Sequence, residues 1–211
     1  MIGIVNYETF LITGIILNLT PGNDTIFILS RSIAQGKHAG VMSALGIGTG
    51  SLIHTTLAAF GLSIIITKSM LLFSIIKYIG AAYLIYIGVR MLVDKSRLNF
   101  NSTEVVAKTN FKTIYRDAVF TNILNPKVAL FFIAFLPQFI DPNFKESVLP
   151  FLILGISFTT TGTIWCLILA AYSSRLFYKL RNNQKISSYL NKICGIALVA
   201  LGIRVAISDR K

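Results

Sequence analysis

Apolar positions in this chain neither alternate nor recur at every third and fourth residue; they run on. Six stretches are predominantly apolar: Tyr7–Ser32, Gly40–Ile66, Leu71–Val93, Ala118–Ile140, Val148–Tyr172 and Leu190–Ile207. A helix rises ~1.5 Å per residue, so each can cross a hydrocarbon layer ~30 Å thick. The pattern predicts an all-α membrane protein with six transmembrane helices. Two of the runs are interrupted. "NLTPGNDT", Asn18 to Thr25, and "TNILNPKV", Thr121 to Val128, put amides, proline and a charge where lipid-facing helix carries leucine.

Proline lacks the backbone donor and clashes with the preceding turn, so a helix stops or kinks just before it. It is also favoured as the first residue of a new helix, directly after a Ser, Thr, Asp or Asn cap. Thr20-Pro21 and Asn125-Pro126 both fit that grammar. Helices 1 and 4 are therefore expected to be broken at Pro21 and Pro126, near mid-membrane, with Gly22 allowing close backbone approach.

Matches between the first three runs and the last three occur in one order. "LGIG" at Leu45–Gly48 answers "LGIS" at Leu154–Ser157, and "LAAF" at Leu57–Phe60 answers "LAAY" at Leu169–Tyr172. "IGVRM" at Ile87–Met91 answers "LGIRV" at Leu201–Val205. The expected organisation is a three-helix repeat over 1–93, a cytoplasmic linker over 94–117 and a second repeat over 118–211. With three spans per half, the second copy enters the membrane upside down. Inverted 3+3 repeats occur in secondary transporters, which place the site between the repeats and build it from broken helices.

Charge agrees with membrane insertion. Only 13% of the 211 residues are charged, against 54% hydrophobic; a soluble domain keeps roughly a quarter charged. The net charge of +12 does not signal nucleic acid, because the basic residues crowd three connections. These hold Arg31 and Lys37; Lys95, Arg97, Lys108, Lys112 and Arg116; and Arg175, Lys179, Arg181 and Lys185. The other connections carry chiefly Lys68 and Lys145. This positive-inside pattern puts both termini outside and the basic loops in the cytoplasm; Arg210 and Lys211 point the other way. The first run opens on Glu8 without a basic leader and is read as a span, not a cleaved signal.

The breaks carry the chemistry. Each new half-helix starts with about four unpaired N–H groups and a partial positive charge, which suit a carboxylate. Lys127 adds a full charge there, Asn18 and Asn122 offer amide and carbonyl oxygens at the preceding ends, and Asp24 offers an anion for an ammonium group or a proton. The expected contact set is Asn18, Thr20, Pro21, Gly22, Asn23 and Asp24 with Asn122, Asn125, Pro126 and Lys127. A small zwitterion matches it. Plainer roles stand beside these: structural proline kinks, amides bonding across helices, and Asp24 paired with Lys127 as a buried bridge. An acid inside a span is nonetheless costly and points to function. His54 reads as a satisfied core histidine or a proton-relay group, Cys166 and Cys194 as buried thiols, and Tyr83, Tyr86 and Trp165 as packing residues. Gly46 to Gly50 permits tight helix contact.

"LTPGNDTIFILSRSIAQGKHAG" followed by "SALGIGTG", with "NPK" in the fourth run, resembles the LysE/RhtB family of bacterial amino-acid exporters over essentially the whole chain. The resemblance implies a secondary transporter of the bacterial plasma membrane, not an enzyme, which exports neutral or basic amino acids in exchange for protons. It implies no cofactor and no metal. Its partners would be the amino acid and the lipid bilayer, with no nucleic acid; a homo-oligomer is left open. Asp24 would carry the proton. The family's usual Pro-Gly-Pro is here Pro21-Gly22-Asn23, which removes a second ring constraint at the break. Rival readings are an exporter of a metal ion or another small solute, and a membrane thiol-electron carrier. One acid opposite one lysine suits a hard cation poorly, and both cysteines lie in the second half.

Overall fold

The computed structural model describes residues 3–62, 70–93, 109–144, 146–182 and 184–207. Lys68, Lys95, Arg97, Lys108, Lys145, Arg210 and Lys211 lie outside them, as does most of the linker. Among the described residues there are eight α-helices: α1 (Tyr7–Leu19), α2 (Asn23–Gln35), α3 (Lys37–Leu57), α4 (Met70–Val93), α5 (Phe111–Ile123), α6 (Pro126–Leu130), α7 (Val148–Asn182) and α8 (Gln184–Ile207). The protein is an all-α membrane protein. Its one extended pairing among these residues is a single bridge between Ile4 and Ile140.

Lys37–Gly61 and Val148–Ser173 are each long and apolar enough to span a membrane, and so are two bent pairs taken whole. The third and sixth runs are α4 and α8, with 24 residues each, or about 36 Å of helix. The bent pairs are the interrupted runs: α1 meets α2 at 49°, and α5 meets Pro126–Phe139 at 47°. Thr20 (φ −65°, ψ 117°) and Asn125 (φ −75°, ψ 107°) are both extended, the conformation a following proline imposes.

The second break follows the expected grammar. Asn125 caps α6, its Oδ1 accepting the backbone N–H of Lys127 at 3.1 Å, with Pro126 in the first turn. The first does not. Thr20 closes α1, its N–H bonding Ile16 O and Leu17 O and its hydroxyl donating to Ile16 O at 2.9 Å. Pro21 is then a linker residue, and α2 starts at Asn23 behind an extended Gly22. A threonine hydroxyl that bonds back one turn belongs to the helix it ends, not to the one that follows. Two π-helical turns also depart from the expected straight spans, Ala58–Leu62 after α3 and Phe131–Phe135 after α6.

Run two packs on run five (α3 on α7), and run three on run six (α4 on α8). The α4–α8 crossing makes the same contact in both directions. A Cβ on Gly88 would fall 2.7 Å from Gly195 O and 2.8 Å from Val199 N; one on Gly202 would fall 2.8 Å from Ala81 O and 3.0 Å from Ile85 N. Gly88/Gly202, Gly195/Ala81 and Val199/Ile85 stand at one constant spacing along the chain. Glycine is needed here because backbone meets backbone. Gly88→Ala is expected to cost about 1–3 kcal/mol through overpacking. Gly61→Ala, where a Cβ meets nothing within 4 Å, should stay within about 0.5 kcal/mol. Unfolding in detergent tests the pair, and equal stabilities would contradict the crossing.

Two cores lie on either side of a polar middle layer. One is aromatic: Phe10, Phe131, Phe132, Phe135, Phe139, Phe151 and Phe158 are buried together, with Phe131 stacked on Phe158 at 4.3 Å between ring centroids. The other is built from smaller side chains, including Ile28, Ala44, Ala118, Cys166 and Ala170.

Candidate functional site

Between the two cores the breaks face each other. Asp24, in the first turn of α2, accepts a hydrogen bond at its Oδ2 from Asn122 Nδ2 of α5 at 2.9 Å. Its Oδ1 is buried without a hydrogen-bond partner, and so is Asn122 Oδ1. The acid of one interrupted run is thus held by the amide of the other.

Lys127 is placed otherwise than as the partner of Asp24. Its ammonium donates to Thr20 O at 2.9 Å and to Leu17 O at 3.2 Å. Those carbonyls end α1, where a helix presents its partial negative charge. Gly22 lies beside the ammonium, where an added Cβ would meet Nζ at 3.4 Å, an ordinary contact. Among the described residues the ion pairs are Arg31–Asp117 and Arg116–Asp117, so the alternative reading of Asp24 and Lys127 as a buried bridge does not hold. The short approach of Nζ to the α1 carbonyls explains why.

The end of α5 is met similarly. His54 Nε2 lies 3.2 Å from Asn122 O, and its ring stacks on Phe132 at 5.6 Å. The histidine is buried and satisfied, yet it touches the residue that holds Asp24. The two asparagines sit against glycines of the straight spans. A Cβ on Gly50 would lie 2.8 Å from Asn122 Oδ1, and one on Gly162 3.0 Å from Asn18 Oδ1. Asn18 also bonds across to α7, through Thr161 Oγ1 at 3.3 Å and Phe158 O at 3.4 Å.

Asn18, Asp24, Asn122 and Lys127 line one cavity of about 40 Å³. That holds a few water molecules, so a larger solute enters only if the walls part. The other expected residues frame the breaks without lining it. Thr20 and Asn125 are buried, Pro21 and Gly22 half-buried, and Asn23 and Pro126 exposed.

The straight helices supply lining that sequence reasoning missed: Gly48 and Ser51 from α3, and Thr159, Thr163, Trp165 and Cys166 from α7. Ser51 and Thr159 hydrogen-bond at 2.8 Å between the helices. The signal was present in "SFTTTGT", Ser157 to Thr163, a hydroxyl-rich patch inside a span. Both cysteines are buried free thiols.

Fold and site together define a multi-pass helical membrane protein with a polar cavity between two broken spans. The chain belongs to the LysE type translocator family, whose model matches residues 15–209. It is similar to the uncharacterized membrane protein YrhP of Bacillus subtilis, at 36% identity over 90% of this chain and 93% of that one. It is also similar to the leucine efflux protein of Salmonella typhimurium, at 30% identity over 97% of this chain and 96% of the relative. The membrane protein PA4757 of Pseudomonas aeruginosa is 29% identical over the same shares. No solved structure matches the chain.

Proposed function

We propose that this protein exports amino acids from the cytoplasm in exchange for protons, as a secondary transporter whose halves, 1–93 and 118–211, form an inverted repeat. The carrying observation is the Asp24–Asn122 bond across the two breaks, between two residues that line the cavity and each keep an oxygen without a partner. An intramembrane acid at the junction of broken helices suits an ammonium group and a proton in turn. Amino-acid export is supported by the family and by the leucine efflux relatives.

The basic loops set the direction, with both termini outside and the linker in the cytoplasm. In that orientation the aromatic core closes the outer side of the cavity. The inner side is closed by smaller side chains and by Arg31, which reaches Asp117 at 3.8 Å and Thr109 Oγ1 at 3.0 Å. Opening inward then breaks a weak polar contact rather than an aromatic cluster, which favours loading from the cytoplasm.

The test is to express the protein in bacteria fed a panel of dipeptides and to record which free amino acids appear outside. Release of one or a few above the vector control is expected. No release of any would overturn the exporter reading, and metal sensitivity on deletion would favour a cation as cargo.

A further inference from the structure

Resting on the exporter reading, we infer that Trp165 is the group that receives the substrate's carboxylate, and that Lys127 is not. Trp165 sits on α7, lines the cavity, and carries an indole Nε1–H that is buried with no hydrogen-bond partner. Indole nitrogen is a donor only, so a partner for it has to bring an acceptor. Asp24 and Asn122 line the same cavity, and each has an unmatched acceptor at Oδ1. One unmatched donor and two unmatched acceptors, fixed on different helices, are the complement of a zwitterion. The ammonium group goes to Asp24 and Asn122, and the carboxylate to Trp165.

Lys127 was the natural carboxylate ligand by charge alone. Its ammonium is committed to Leu17 O and Thr20 O at the end of α1, and releasing it would strip those carbonyls of their donor. It serves the substrate through its field, which favours an anion in the cavity. The other unmatched groups that can donate, Ser32 Oγ and Asn125 Nδ2, belong to residues outside the cavity lining.

Trp165 is also the protein's single tryptophan, so its fluorescence reads the site directly. Purified full-length protein in detergent is titrated with the twenty L-amino acids. The one that changes the emission at lowest concentration is taken forward with its amino alcohol, which lacks the carboxylate, and with its deaminated acid. Calorimetry then compares wild type, Trp165→Phe and Asp24→Asn. Trp165→Phe is expected to weaken the amino acid about 10- to 100-fold, the range for a hydrogen bond to a charged group, and to change the amino alcohol about threefold or less. Asp24→Asn is expected to weaken the amino acid and the amino alcohol while sparing the deaminated acid. A misfolded variant would lose all three ligands, so the contrast between ligands isolates the contact. If Trp165→Phe binds the amino acid as wild type does, or loses amino acid and amino alcohol alike, the assignment is overturned while the exporter reading stands. If no amino acid moves the wild-type emission or produces heat, both fall.

Discussion

Asp24→Asn is expected to cut amino-acid export at least about tenfold and to abolish its response to an imposed pH gradient, in a protein that stays folded. The substitution changes charge and little else. An amide oxygen still accepts from Asn122 Nδ2, where the carboxylate does so at 2.9 Å, and the side chain keeps its size. What disappears is the anion. A charged hydrogen bond contributes about 1.5–3 kcal/mol, or one to two powers of ten in binding, and an amide cannot carry a titrating proton. Efflux from preloaded proteoliposomes, with the pH gradient set in either direction, measures both effects. Wild-type rate with wild-type gradient dependence would remove Asp24 from the mechanism.

The second large effect belongs to stability. Lys127→Met keeps the aliphatic stem and deletes the ammonium, leaving Leu17 O and Thr20 O without the donor that reaches them at 3.2 and 2.9 Å. In a membrane interior, carbonyls freed at a helix end have no bulk water to turn to. The expected loss is about 2–4 kcal/mol, larger than for Asp24→Asn, with partial recovery in Lys127→Arg, which restores a charged donor. Urea unfolding in mild detergent distinguishes the variants. A Lys127→Met protein within about 0.5 kcal/mol of wild type would show that the break holds without this tie. The comparison also separates two roles that charge alone confuses, since Lys127 acts on the architecture of α1 and Asp24 on the cargo.

The two breaks illustrate where local reading succeeds and where it stops. Asn125-Pro126 reads correctly as cap and first turn, because both preferences act within three residues of backbone. Thr20-Pro21 likewise pairs a favoured cap residue with proline, yet Thr20 ends α1 and α2 starts two residues past the proline, at Asn23. The Thr20 hydroxyl bonds back to Ile16 O, Lys127 covers the other carbonyls at that end, and α2 starts behind Gly22 with no side-chain cap. His54 is a similar case: its burial was legible, but its seat on the Asn122 carbonyl depends on how α3 meets α5.

Residue order alone determined that this is a helical membrane protein with two interrupted runs, and that Asp24, Asn122 and Lys127 belong to the interruptions. Hydropathy, proline geometry and the cost of charge in lipid are properties of the local chain, readable without a partner. Only the tertiary structure decided that Lys127 serves the carbonyls of α1 rather than Asp24, that Asn122 holds the acid, and that Trp165 and the hydroxyls of α7 face the same small cavity. Those outcomes depend on which atoms approach within about 3 Å across segments as much as a hundred residues or more apart. Hydrogen bonding is short-ranged and directional, so that choice is made by helix packing and is invisible to any one stretch of sequence.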